Sequence, residues 1–354
     1  MWPQHGGNST AIQNLLTMKG IDEGSDLLDF SANLNPLGIP DTVLQSMQKS
    51  LLQKSSVYPD PAYIEERGIL ASIEDVKTEN IWLANGGAEA IFLVAHMFKG
   101  KRAGIFQPAF SEYERACRIH QLHIKHFSYE DLIESEAFIQ DTDLLFLCRP
   151  NNPTGEMLPE DKIVRLLETA KQAGQYIVVD EAFVHFSGSS LAHLLGAFPN
   201  LILLRSLTKI FAVPGIRLGY VLAHEQIIRK LESLSVPWSV NAMALSVIHA
   251  LPDTKDFLIA AKEWLAEEWQ YVRNELLKMK FQVSDTTVNF YLLRDPLLQN
   301  HEQLLLFLAG EGILVRHTVN FPLIEGSAIR LAVRTREENM VLLKALRKWR
   351  NTSC

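Results

Sequence analysis

The chain has 354 residues, 47% hydrophobic and 21% charged, the composition of an ordinary soluble globular protein long enough for two domains. Its 34 basic and 41 acidic side chains leave a net charge of -7 with no Lys/Arg block, which argues against a nucleic-acid surface. Cys117, Cys148 and Cys354 are too scattered for a disulfide frame or a zinc site, and no apolar run reaches transmembrane length.

The N-terminus, residues 1–8, lacks the charged and apolar regions of a signal peptide, so a cytoplasmic location is expected. Helical spacing runs from near Thr10 to near Gly20. Residues 27–31 read as a short strand, and the Asn, Pro and Gly residues of 33–38 as a loop. Asp41 is a candidate cap for the helix that follows. Tyr58-Pro-Asp-Pro61 is a second loop, too rich in proline to be regular. Strand signals at 81–84, 103–106, 144–147, 176–179 and 201–204 then alternate with helical spacing at 88–98, 110–119 and 159–173. Such alternation predicts a mainly parallel sheet covered on both faces. A long helical region from Tyr220 to about Lys278 carries the chain into a second, α+β part. There, 288–293 and 329–333 read as strands and 301–308 and 337–349 as helices. No internal repeat or low-complexity tract is present.

Four of the strands end in polar signatures, and in sheets of this kind ligands sit beyond the carboxyl ends of the strands. Gly86-Gly87-Ala88 follows one strand and opens a helix, where backbone N–H groups bind a phosphate. A plain tight turn is the alternative there. Pro150-Asn-Asn-Pro-Thr-Gly155 follows another strand and Asp180-Glu-Ala-Phe183 a third. Asp180 alone reads equally as a helix cap or a salt-bridge partner. Lys209 follows the fourth strand. A lysine in apolar surroundings loses proton affinity, because desolvation penalises its charged form, and a neutral amine attacks aldehydes. Ser206, Thr208 and Arg217 add two hydroxyls and a fixed cation suited to a phosphate. An aldehyde carrying a phosphate describes pyridoxal phosphate. The opposing reading is a solvated loop lysine, since lysines are seldom buried.

Two arginines, Arg316 and Arg330, sit in or beside apolar strands, where an unpaired charge is expensive. A bidentate anion would satisfy either, and so would an internal salt bridge. His5, by itself, reads as part of a solvated tail.

In order along the chain, Asn151-Asn-Pro-Thr-Gly155, Asp180-Glu-Ala, Ser206-Leu-Thr-Lys209 and Gly215-Ile-Arg217 resemble the fold-type-I pyridoxal-phosphate enzymes, specifically the histidinol-phosphate aminotransferase subgroup. The resemblance covers nearly the whole chain. Within the subgroup, His5-Gly-Gly-Asn8, the segment 29–38, Ser206-Leu-Thr-Lys209 and Pro237-Trp-Ser-Val-Asn241 are most similar to the threonine-phosphate decarboxylases of cobalamin synthesis. The resemblance implies an α/β fold: a large domain with a mainly parallel seven-stranded sheet, and a smaller α+β domain. Residues 1–40 would form an arm and part of the small domain, 41–240 the large domain, and 241–354 the rest of the small one.

The same resemblance implies roles. Lys209 forms the Schiff base with the cofactor, and Asp180 pairs with its ring nitrogen. Asn152 lies near the ring oxygen and the substrate. Gly87, Ala88, Ser206, Thr208 and Arg217 hold the phosphate, and Phe110 stacks on the ring. Tyr58 reaches the phosphate from the neighbouring subunit, which implies a homodimer. Arg330 takes the substrate's α-carboxylate and Arg316 its second anion, with His5, Gly6 and Asn33 as further contacts. No metal is implied. Phe183 departs from the pattern: many relatives have a tyrosine whose hydroxyl bonds the ring oxygen. Asn152 alone would then serve that oxygen, or Phe183 simply packs in the core.

The leading expectation is decarboxylation of a phosphorylated amino acid, O-phospho-L-threonine. The alternative is amine transfer of the histidinol-phosphate type, since both reactions use nearly every residue named. A non-enzymatic regulator on the same fold is a third class, disfavoured by the intact set around Lys209.

Overall fold

The computed structural model describes residues 2–8, 10, 13, 14, 17, 27–134 and 141–352. Much of the helix expected from Thr10 to Gly20, and Cys354, lie outside the described residues. Strand β1 (Leu28–Asp29) precedes α1 (Asp41–Lys54) and α2 (Ile64–Glu74), which flank the Tyr58 loop. The chain then alternates through β2 (Ile81–Ala84), α3 (Gly87–Met97), β3 (Arg102–Gln107), α4 (Ser111–Ile119) and β4 (His123–Ser128). It continues with α5 (Tyr129–Glu134), β5 (Leu144–Cys148), α6 (Glu160–Gln172), β6 (Tyr176–Asp180), α7 (Val184–Ser187), β7 (Leu201–Ser206) and β8 (Gly219–Ala223).

These strands form a seven-stranded sheet in the order β2-β8-β7-β6-β5-β3-β4. Only β8 runs against the rest: it is antiparallel to both β7 and β2, while the other pairs are parallel. Every residue of β5, β7 and β8 is buried, as strands covered on both faces must be. Each fully buried Leu, Ile or Val contributes roughly 1.5–3 kcal/mol, so the sheet centre anchors the loops that follow its strands. The edge strand β4, His-Ile-Lys-His-Phe-Ser, is mostly exposed and polar. It has no apolar run, which is why strand periodicity does not reveal it.

The helical region expected from Tyr220 begins only after Ala223, because β8 takes Gly219–Ala223; it comprises α8 (Glu225–Leu234), α9 (Ala242–Ala250) and α10 (Lys255–Lys278). The loop 235–241 and a tight turn containing Pro252 separate them. Helix α9 packs on α1, where Ser46 Oγ donates to Ser246 O (2.8 Å) and Ser50 Oγ to Ala242 O (3.0 Å). The C-terminal part contains β9 (Gln282–Val283), β10 (Phe290–Arg294), α11 (Glu302–Gly310), β11 (Ile313–Leu314), β12 (Arg316–His317), β13 (Ile329–Ala332) and α12 (Arg336–Thr352). An antiparallel sheet runs β12-β13-β10-β9, and β1 pairs with β11 in parallel. Asp41 does not cap α1: it is the first helical residue, Pro40 occupies the cap position, and no side chain caps this end. No described helix is long and apolar enough to cross a membrane.

Two seams join the sheets near the strand ends. The segment after β1 inserts between the C-terminal strands, with Phe30 N donating to Leu314 O and Ala332 N to Phe30 O, both at 2.8 Å. It then reaches the Lys209 loop, where Asn35 N donates to Lys209 O (3.1 Å) and Asn35 Nδ2 to Ile210 O (2.9 Å). The second seam holds the 150–155 loop. Ser284 Oγ donates to Thr154 O (2.5 Å) and Thr287 N to Gly155 O (3.1 Å). Gly155 has φ +80°, and a Cβ there would strike Thr286, so only glycine fits.

Candidate active site

The carboxyl ends of β5, β6 and β7 lie side by side, with Cys148 in register with Asp180 and Asp180 with Leu204. The polar signatures of the sequence therefore converge. Lys209 follows β7; its side chain keeps some solvent-facing surface, yet protein surrounds it on nearly every side. Burial, then the cations Arg330 and Arg217, lower its amine to about 8, with Asp180 pulling the other way. An amine so lowered supplies neutral nucleophile near neutral pH.

Beside it, Ser206 Oγ and Thr208 Oγ1 lie 2.9 Å apart. Ser206 is in register with Gly219, and a Cβ on Gly219 would come within 2.8 Å of Gly86 C and Gly87 N. A Cβ on Gly86 would strike the Arg217 guanidinium. Glycines thus let the turn before α3 close on the Ser206–Thr208 hydroxyls and on Arg217. Gly87 and Ala88 open α3, where the first amides have no carbonyl partner within the helix. Arg217 is exposed, bonds only Pro214 O among the described residues (3.2 Å), and has φ +59°, uncommon outside glycine. Two hydroxyls, helix-end amides and an uncommitted guanidinium fit the phosphate of the expected cofactor.

Asp180 is buried, and its Oδ1 accepts from Ala182 N (3.0 Å). Its Oδ2 accepts from the Tyr113 hydroxyl at 2.6 Å. Tyr113 escaped the sequence reading; the available signal was its place in the first turn of α4, three residues beyond Phe110, which precedes the helix. The Phe110 ring meets the Tyr113 ring edge-on at 6.0 Å. Asn152 accepts on Oδ1 from Arg330 Nη1 (2.6 Å). Because a guanidinium only donates, this leaves Asn152 Nδ2 to donate, as a ring oxygen requires. Phe183 packs edge-on against Phe290 at 4.8 Å inside the core, and it has no hydroxyl to give that oxygen.

The two C-terminal arginines meet across a strand pair: Arg316 on β12 is in register with Arg330 on β13. Both are buried, and among the described residues neither forms a salt bridge, so the internal pairing weighed from sequence does not occur. Directly opposed like charges repel. Arg330 donates from Nη2 to Ser31 O (2.9 Å), lies over the Phe290 ring at 5.4 Å, and leaves Nε without a partner among the described residues. Arg316 donates to Pro3 O (3.0 Å), Gln4 O and Asn320 Oδ1 (2.6 Å). Burial lowers Arg316 to about 10, and burial with the Arg316 charge lowers Arg330 to about 9.

Those bonds from Arg316 hold the N-terminal arm down. Gly7 N then donates to Ser31 Oγ (2.9 Å), and Gly6 lies so close to Ser31 O that no Cβ fits. His5 is not a solvated tail: its Nε2 lies 3.0 Å from Glu112 Oε1 and its ring 5.7 Å from that of Phe110. Glu112 is a second site residue the sequence reading missed. Asn33 is buried, with Oδ1 lacking a partner among the described residues. Tyr58 stands apart. It is 82% exposed, and its ring lies against Trp238 at 5.1 Å.

Four likenesses to known proteins bear on this arrangement. The family model described as aminotransferase class I and II matches residues 25–346. The chain is 34% identical to the threonine-phosphate decarboxylase of Salmonella typhimurium, over 97% of this chain and 95% of that protein. Its fold is similar to the crystal structure of the histidinol-phosphate aminotransferase from Clostridium acetobutylicum, with TM-score 0.86 and 30% identity over 92% of this chain and 100% of that one. It is also similar to the L-threonine-O-3-phosphate decarboxylase from Porphyromonas gingivalis, with TM-score 0.82 and 26% identity over 90% and 98%.

Proposed function

The chain belongs to the class I and II aminotransferase family, with its fold-type-I α/β architecture, and on that premise we propose that it is a pyridoxal-phosphate-dependent decarboxylase. It converts O-phospho-L-threonine to (R)-1-amino-2-propanol O-2-phosphate and carbon dioxide, for cobalamin synthesis. The observation that carries the reading is the opposed pair Arg316 and Arg330, both buried and neither in a salt bridge among the described residues, with the Arg330 charge acting on Lys209. A substrate with a carboxylate and a phosphate neutralises both. The similarity to the Salmonella decarboxylase supports the same reaction.

Lys209 would hold the cofactor's aldehyde, Asp180 would face its ring nitrogen and Asn152 its ring oxygen. Gly87, Ala88, Ser206, Thr208 and Arg217 would take its phosphate, and Phe110 would lie on its ring. When bound, the cofactor supplies a sink for the electron pair released at the substrate Cα. Asp180, ionised, keeps the ring nitrogen protonated. Arg330 fixes the substrate carboxylate and so the direction of the Cα–carboxyl bond. Arg316, His5 and the Gly6 backbone take the phosphate, and Asn33 gives a further contact. The Lys209 amine delivers a proton to Cα once carbon dioxide has left. In this proposal Tyr58 reaches the phosphate of a second copy, making the working unit a homodimer. The division into an arm (1–40), a large domain (41–240) and a small domain (241–354) belongs to the same proposal.

Amine transfer from histidinol phosphate is the second reading, favoured by the fold likeness to the Clostridium enzyme. One assay separates them. Holoenzyme with phosphothreonine should yield carbon dioxide and aminopropanol phosphate together. If neither appears, while histidinol phosphate and 2-oxoglutarate give glutamate, the decarboxylase reading is wrong.

A further inference from the structure

Asp180 is gripped on both oxygens, and one grip comes from a residue outside the strand-end motifs. Tyr113 is fully buried, and its hydroxyl donates to Asp180 Oδ2 at 2.6 Å. Its ring stacks on Phe146 of β5 (5.4 Å, 12° between planes). That stacking and the edge contact with Phe110 hold the phenol in one direction. The other titratable groups facing Asp180 are Cys148 at the end of β5, Tyr129 on α5 and Lys209 after β7. Burial pushes the Cys148 thiol and the Tyr129 phenol upward, so both stay neutral. Lys209 is the one cation among them.

We propose that Tyr113 is a positioning residue of the reaction, whose hydroxyl keeps Asp180 aimed and ionised for the cofactor's ring nitrogen. The proposal rests on the role given to Asp180 above. Burial raises the proton affinity of Asp180, and the Tyr113 hydrogen bond is foremost among the contacts that oppose the rise. Tyr113 is itself pushed well above its ordinary range by burial and by the Asp180 charge, so it remains a donor. Without that O–H, Oδ2 would be a buried acceptor short of a donor, and a proton would fill the gap at a higher pH. A protonated Asp180 gives the ring nitrogen no ion pair. The sign follows: losing the hydroxyl moves the acid limb of cofactor affinity upward in pH.

Tyr113→Phe removes one oxygen and keeps both ring contacts. Wild-type, Tyr113→Phe and Asp180→Asn apoenzymes are titrated with pyridoxal phosphate, reading the absorbance of the bound cofactor from acid to alkaline pH. Wild type and Tyr113→Phe should agree at alkaline pH. The midpoint at which affinity falls should lie about one pH unit higher in Tyr113→Phe, the scale of one hydrogen bond to a charged group. Asp180→Asn should lack the limb set by Asp180 and keep the separate one that protonation of Lys209 gives all three proteins. If Asp180→Asn keeps both wild-type limbs, the role of Asp180 is wrong and the proposal goes with it. If Asp180→Asn loses the limb set by Asp180 while Tyr113→Phe keeps the wild-type midpoint, the proposal alone is overturned. Should Tyr113→Phe not fold, 3-fluorotyrosine placed at position 113 keeps the shape with a stronger donor. It should move the midpoint downward, and an unmoved or raised midpoint overturns the proposal.

Discussion

The molecule buries arginines in two places and treats them in opposite ways. Arg149 and Arg205, at the ends of β5 and β7, are 2% and 1% exposed; Arg316 and Arg330 are 4% and 6% exposed. The first two share Glu181: Arg205 Nη1 lies 2.9 Å from its Oε2 and Arg149 Nη1 3.8 Å from its Oε1. Arg205 also meets Glu74 at 3.0 Å, and Tyr220 donates to the other Glu74 oxygen at 2.5 Å. Burial lowers Arg205, but the Glu181 and Glu74 charges more than reverse it. Arg316 and Arg330 have no carboxylate within salt-bridge distance among the described residues, bond neutral oxygens and, for Arg316, the His317 ring, and remain lowered. A buried cation that the fold neutralises holds the fold together. One that the fold leaves unneutralised, opposite a second such cation, marks where an anion belongs.

The largest expected effect tests the second place. Free threonine should fall below phosphothreonine by roughly 10⁴-fold in kcat/KM, because a site built for a polar group rejects the analogue lacking it. A loss of only a few-fold would mean that Arg316 does not read the second anion. Next comes the contrast itself. Arg205→Met should cost about 3–5 kcal/mol of stability by chemical denaturation, since it strands buried carboxylates. Arg330→Met should leave stability equal or higher while abolishing turnover. Equal destabilisation by the two would erase the distinction between the places. On the cofactor side, Asp180→Asn should lower turnover at least ~10²-fold, about 2.7 kcal/mol of barrier, with the protein still folded. The smallest effect is the most direct reading of the unneutralised pair. Inorganic phosphate at tenfold excess over its Kd should stabilise the wild type by about 1.4 kcal/mol in thermal unfolding. Arg316→Gln should lose part of that stabilisation, and an unchanged increment would place the phosphate elsewhere.

The gathering of the polar signatures at the strand ends was legible from the chain alone because it is local. Gly87, Asn152, Asp180 and Lys209 each follow an apolar strand closely, and parallel strands bring their carboxyl ends to one edge. Local patterning also located most strands and helices of the large sheet. It missed β4, whose exposed residues carry no apolar period, and β8, whose short buried run was read from Tyr220 onward as the start of a helical region.

Tertiary structure alone decided how the charges are paired. Arg330 meets Asn152 across 178 positions, Arg316 meets Pro3 across 313, and Tyr113 meets Asp180 across 67. Spacing along a chain fixes which side of a strand a residue faces, but not which distant acceptor waits there. Arg205 and Arg330 look alike in sequence, each a cation among apolar strand residues. One folds against two carboxylates and the other against a carbonyl, an amide and another arginine, and that difference makes one structural and the other a candidate ligand.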